Sequence, residues 1–199
     1  MKNIYKIINE PFLFLIFIIS YIPGFTGVYI RRFFFKLRFR YLGKKFYSEI
    51  GIVVSFPKNI SIGNNCSIMR LSSINACKES QIKIGDNASI NYNVNINSSN
   101  GGQIIIGDNV LIASNVVIRA ANHNINNPDL PIKMSGHVAG KITIGNNVWI
   151  GSNCTILKDV RIGDGAVIGA GCTIFEDVEE GSIILNSTQR NSIKKTRFE

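Results

Sequence analysis

Isoleucine recurs at every sixth position along most of the chain. It does so at Ile62, Ile68 and Ile74; at Ile84, Ile90 and Ile96; at Ile106, Ile112 and Ile118; and without a break from Ile144 through Ile150, Ile156, Ile162 and Ile168 to Ile174. A period of six fits neither a helix with one apolar face nor an alternating strand. It fits a solenoid in which a short strand, a turn and the next strand repeat. Three such steps close one triangular coil, with the isoleucines pointing inward and stacking on those of the next coil. Gly63, Gly85, Gly107, Gly145 and Gly163 follow a repeat isoleucine, and Asn or Asp comes next. Both residue types tolerate the positive φ expected of a tight corner. The pattern predicts an all-β parallel β-helix of about five to six coils, roughly 25–30 Å long at about 4.8 Å per coil.

The breaks in the period carry as much information. Ile74 to Ile84 and Ile96 to Ile106 are ten residues apart, and Ile118 to Ile144 is 26. Every extra segment follows the third isoleucine of its coil, so all three leave from one corner. The longest, 119–143, holds both histidines of the chain, His123 and His137. Loops projecting from a rigid scaffold are where chemistry concentrates. The expected organisation is an N-terminal segment 1–47, a repeat domain 48–181 with the inserted loop 119–143, and a basic tail 182–199.

Charge separates the first of these from the rest. Of 22 Lys/Arg and 13 Asp/Glu, residues 1–47 hold nine basic residues and one acid, which leaves 13 and 12 for the remainder. The basic residues sit among Phe, Ile and Leu, which favours a lipid surface over nucleic acid. The apolar run Phe12–Ile19 is too short to span a bilayer, which needs about 20 residues. Residues 28–47 read as a basic amphipathic helix, with Ile30, Phe33, Phe34, Leu37 and Tyr41 on one face and Arg32, Lys36 and Arg40 on another. Such a helix anchors the chain at a membrane through residues 12–47, caps the open end of the solenoid, or does both. Cys66, Cys154 and Cys172 fall in a repeat slot shared with Ala and Val, so the four cysteines read as small apolar residues rather than a disulfide or metal set. This usage suits a cytoplasmic protein with reduced thiols, peripheral on the inner face of the membrane if the anchor operates.

The runs IGDNVLIASNVVI (106–118) and IGNNVWIGSNCTI…VRIGDGAVIGAGCTI (144–174) resemble the hexapeptide-repeat acyltransferases, in particular the sugar O-acetyltransferases of bacterial surface polysaccharide. The resemblance covers about residues 50–190. It implies a left-handed β-helix, a homotrimer with active sites between subunits, acetyl-CoA as co-substrate and no metal. It makes His123 the general base, Asn93 and Trp149 substrate-binding residues, and Ser152, Ala170 and Arg190 coenzyme contacts. Asn93 has a second reading, since Asn93, Asn115 and Asn153 share a corner column that favours Asn anyway. His137 matches no family position and reads as a plain loop residue.

Two departures stand out. The family's acceptor-binding Asp is replaced by Gly101. The basic Thr-Lys-Asp stretch after Ile168-Gly-Ala-Gly is replaced by Phe175-Glu176-Asp177. The expected activity is transfer of an acetyl group to a sugar hydroxyl of a capsule, lipopolysaccharide or exopolysaccharide or its precursor. N-acetylation of an amino sugar or antibiotic, and a non-catalytic trimeric membrane-docked scaffold, are the alternatives.

Overall fold

A computed structural model of the chain describes residues 2–186 and 195–196. Two helices, α1 (Lys2–Tyr21) and α2 (Gly24–Arg38), precede a three-sided parallel β-helix of six coils. The first face stacks Tyr41–Leu42, Ile60–Ile62, Gln81–Ile84, Gln103–Ile106, Lys141–Ile144 and Val160–Ile162. The second stacks Tyr47–Ser48, Ser67–Ile68, Ser89–Ile90, Leu111–Ile112, Trp149–Ile150, Val167–Ile168 and Ser182–Ile184. The third stacks Val53–Ser55, Ser73–Ala76, Asn95–Ser98, Val117–Arg119, Thr155–Ile156 and Thr173–Ile174. Lys195–Thr196 pairs antiparallel with Ser182–Ile183 at the end of the second face.

The register is the sequence period made physical. Ile62, Ile84, Ile106, Ile144 and Ile162 are direct partners on the first face. Ile68, Ile90, Ile112, Ile150 and Ile168 do the same on the second. Ile74, Ile96, Ile118, Ile156 and Ile174 complete the third. All are buried, and each buried aliphatic side chain contributes about 1.5–3 kcal/mol of transfer free energy.

The solenoid is longer than the isoleucines alone suggest. Leu42, Ser48 and Val54 are the partners of Ile62, Ile68 and Ile74. The six-residue step therefore continues one coil earlier, in residues of other types. The expected boundary at 47–48 moves to about 40, and the helix expected over 28–47 ends at Arg38. At the other end, Ile184 pairs with Ile168, so the solenoid passes residue 181.

The helix faces also differ from the sequence expectation. Gly27, Arg31 and Phe35 are the buried positions of α2. Phe35 and Phe39 close over Phe46 in the first coil, with ring centroids 6.2 and 6.5 Å apart. Ile30, Phe33 and Leu37 point outward instead. Arg31 reaches into the junction, donating from Nε and Nη2 to the Ser48 carbonyl (3.2 and 2.9 Å) and from Nη1 to the Ile22 carbonyl (2.6 Å). Burial lowers its pKa from the ordinary arginine value. The cap therefore rests on an aromatic cluster and one buried cation that takes up carbonyls left open where no earlier coil exists.

The first corner shows why the Gly-Asn/Asp pair is there. Positive φ falls one residue later than expected, at Asn65, Asn87, Asn109, Asn147 and Gly165. The preceding glycines serve close approach: a Cβ on Gly63 would lie 2.6 Å from the Gly85 carbonyl. Between them, each Asn or Asp side chain accepts the backbone N–H of its counterpart one coil earlier, as in Asn64 N to Asp86 Oδ1 (2.7 Å) and Asn146 N to Asp164 Oδ1 (2.8 Å).

Candidate active site

The three insertions leave the corner between the third and first faces, one above another. The longest forms an arm after the fourth coil. Ala121–His123 pairs antiparallel with His137–Ala139, in the register Ala121 with Ala139, Asn122 with Val138 and His123 with His137. Ala120 and Ala121 are buried at its root, and Gly140 N–H to the Ala120 carbonyl (2.8 Å) closes it. A hydrogen-bonded ladder therefore holds His123, where the sequence suggested a simple loop.

This pairing changes the reading of His137. The two imidazoles stand face to tilted face, with centroids 4.2 Å apart and planes at 35°. Both are exposed, and neither ring is hydrogen-bonded to another described residue. Each is thus available as a base or as a donor. Arg119 stands exposed at the root of the same arm, beside Asn97 in register. Asn97 Oδ1 is buried without a described partner. Neither Arg119 nor Asn97 stands out in the sequence; the signal is that Arg119 ends the strand Val117–Arg119 and Asn97 is next to last in Asn95–Ser98, each strand running into an insertion. Gly101 lies in the neighbouring turn at φ +86°.

Trp149 points outward, as its slot implies. It is about half exposed (52%) on the second face, between Leu111 and Val167. Together with Asn109, Gly169, Ile183 and Leu185 it lines a groove of about 550 Å³. Ser152 and Ala170 lie at the next corner, between the second and third faces, where Gly171 N–H donates to the Ser152 carbonyl (2.8 Å). A Cβ on Gly151 would sit 2.6 Å from Ala170 N, so this wall is backbone packed on backbone. Arg190 lies outside the described residues.

Asn93 occupies that same corner. Its φ is +54°, and its amide donates to Asn115 Oδ1 (3.0 Å), whose own amide donates to Asn153 Oδ1 (3.1 Å). The column is an asparagine ladder, so Asn93 has a structural duty whatever else it does. Of the departures, Phe175 is exposed, and Asp177 Oδ1 accepts the Arg161 N–H (2.7 Å), so its carboxylate secures the solenoid.

Cys66, Cys154 and Cys172 are buried as expected, and burial raises their thiol pKa values. Cys77 departs from that reading. It is half-buried at the insertion corner, where its sulfur accepts the Asn100 N–H (2.9 Å). Burial acts to raise its pKa, but hydrogen bonds from Ser80 and nearby backbone N–H groups bring it below the ordinary thiol value.

The layout has one consequence for chemistry. In a three-sided prism, the corner between the third and first faces is opposite the second face. One chain therefore directs His123 away from its own Trp149 groove.

A family model described as bacterial transferase hexapeptide (six repeats) matches residues 141–176. Among solved structures, a maltose O-acetyltransferase from Clostridium difficile 630 is 26% identical, with a TM-score of 0.63, over 90% of this chain and 81% of that one. AntD, an N-acyltransferase from Bacillus cereus solved in complex with dTDP and 3-hydroxybutyryl-CoA, is 22% identical, with a TM-score of 0.70, over 83% and 87%. A hexapeptide-repeat-containing acetyltransferase from Vibrio cholerae is 21% identical, with a TM-score of 0.60, over 91% and 85%. A search of curated protein sequences found no match. Repeat, prism and matched segment give the chain the fold of the hexapeptide-repeat transferases, and the solved structures it is similar to are acyltransferases of that group.

Proposed function

We propose that this enzyme transfers the acetyl group of acetyl-CoA to a sugar hydroxyl of a bacterial surface polysaccharide or its precursor. The observation that carries the reading is the presentation of an exposed histidine on a hydrogen-bonded arm, opposite a groove lined by an exposed tryptophan. A sugar hydroxyl is a weak nucleophile at neutral pH. His123 removes its proton as the oxygen attacks the thioester carbonyl carbon. The tetrahedral oxyanion then collapses, the C–S bond breaks, and the CoA sulfur recovers the proton from the imidazolium. A backbone N–H at the Gly151–Ala170 corner that is not already engaged in the coil-to-coil ladder suits the oxyanion. The acyl donor lies along the groove beside Trp149, and a homotrimer brings one subunit's arm to its neighbour's groove. CoA complexes of fold relatives such as AntD support this donor.

The test is thiol release from acetyl-CoA with an extracted surface glycan as acceptor. His123→Ala is expected to lower turnover by about 10²–10⁴-fold with an unchanged melting temperature. A fully active His123→Ala enzyme sinks the assignment. N-acylation is the second reading, supported by the amino-sugar complex of AntD. Hydroxylamine treatment separates the two: an O-acetyl ester is cleaved and an N-acetyl amide survives.

A further inference from the structure

The N-terminal helices carry a dense run of exposed large apolar side chains among the described residues. α1 exposes Phe12, Leu13, Phe14, Leu15, Phe17 and Ile18 around nearly its whole circumference. α2 exposes Phe25, Tyr29, Ile30, Phe33 and Leu37. At about 100° per residue, these α2 positions centre opposite Gly27, Arg31 and Phe35, the face packed on the solenoid. The helix is thus apolar on two sides: one closes the first coil and the other faces away from it. Soluble monomers rarely leave contiguous apolar surface of this extent bare.

Charge and length decide what covers it. Residues 1–47 hold nine Lys/Arg and one acid. A second copy of this chain would bring the same positive surface against itself. The run Phe12–Ile19 extends about 12 Å at 1.5 Å per residue, less than half of a hydrocarbon core of about 30 Å. No described helix is long and apolar enough to cross a membrane. An apolar, aromatic, basic helical layer of that size matches the interface of an anionic lipid bilayer.

We infer that α1 and α2 dock the enzyme onto an anionic membrane as a monotopic layer, with the first coil against it and the solenoid rising away. The arm bearing His123 leaves the fourth coil. Three coil spacings of about 4.8 Å and one helix diameter of about 10 Å place it roughly 25 Å above the docked surface. That height clears the headgroup layer. The acceptor is therefore an extended glycan reaching up from its lipid carrier, and this last step rests on the proposed acetyl transfer while the docking does not.

The test is flotation of the full chain with vesicles of mixed anionic and zwitterionic phospholipid, and with purely zwitterionic vesicles. The full chain is expected to float with the first and not the second. The double variant Phe25→Asp/Phe33→Asp is expected to weaken vesicle partition by about 100-fold, with melting temperature and thiol release on soluble acceptor unchanged. A full chain that binds neither vesicle overturns the docking. So does a double variant that splits an oligomer and leaves lipid binding intact, since a second copy would then cover the patch. The vesicle-bound enzyme should acetylate a lipid-linked oligosaccharide and spare the same lipid bearing one sugar; equal transfer to both overturns the inferred acceptor. Flotation without any thiol release overturns the acetyl-transfer reading and leaves the docking standing.

Discussion

Leu71 is the exception in an otherwise consistent column. The second corner places Gly51, Leu71, Asn93, Asn115, Asn153 and Gly171 at positive φ, and Leu71 sits at +61° with its side chain exposed. A leucine in the left-handed region costs about 1 kcal/mol or more. Leu71→Asn should relieve that strain and extend the asparagine ladder to Asn93, raising stability by about 1 kcal/mol in denaturant melts. The first corner makes a pH prediction. Backbone and side-chain hydrogen bonds from Asn64 hold the Asp86 carboxyl below its ordinary 3.8. A depressed folded pKa contributes stability that is fully present above the unfolded value and is lost as pH falls through the folded one. Asp86→Asn should leave neutral-pH stability nearly unchanged, because Asn already serves at 64 and 146, and should flatten the loss of stability below about pH 4. A steeper acid limb in the variant would contradict the account.

At the scale of elements, the cap depends on one side chain. Arg31→Ala leaves the Ser48 and Ile22 carbonyls without their buried donor. The expected cost is about 2–3 kcal/mol, with hydrogen-exchange protection lost first in α2 and the first coil. How these elements read from sequence follows from residue chemistry. The coils from Ile62 onward were legible because isoleucine recurs at one inward slot of every six-residue step. The first coil was not, because Leu42, Ser48 and Val54 keep the step and change the residue. Its Ser48 is buried on the fold's apolar axis, a position that pattern reading assigns to loops. The faces of α2 were misread because aromatic residues occupy both sides, so spacing alone could not say which side meets the core. The arm was legible as an interruption, which located His123. Its antiparallel register was not, so the ring of His137 against His123 emerged only in three dimensions.

At the scale of the molecule, His123 and Trp149 lie on opposite sides of one prism. If the working site joins two subunits, chains carrying His123→Ala and chains carrying Trp149→Ala should complement each other. Co-expressed together, they should recover about a quarter to a third of native turnover, since one interface in three of a mixed trimer is intact, while each alone stays impaired about 100-fold or more. No recovery in verified mixed oligomers would place the whole site within one chain. The stacked solenoid carries one more implication. Its parallel, in-register columns of isoleucine and asparagine have the geometry of a cross-β fibril wound from a single chain. Such a stack is a template for its own continuation at any bare end. At one end Phe35 and the Arg31 guanidinium of α2, with Phe39 just past its end, lie across the opening. At the other, an antiparallel strand breaks the parallel order. The same aromatic helix that shapes the base of the molecule is thus also a stopper, and it limits an architecture of indefinite length to six coils.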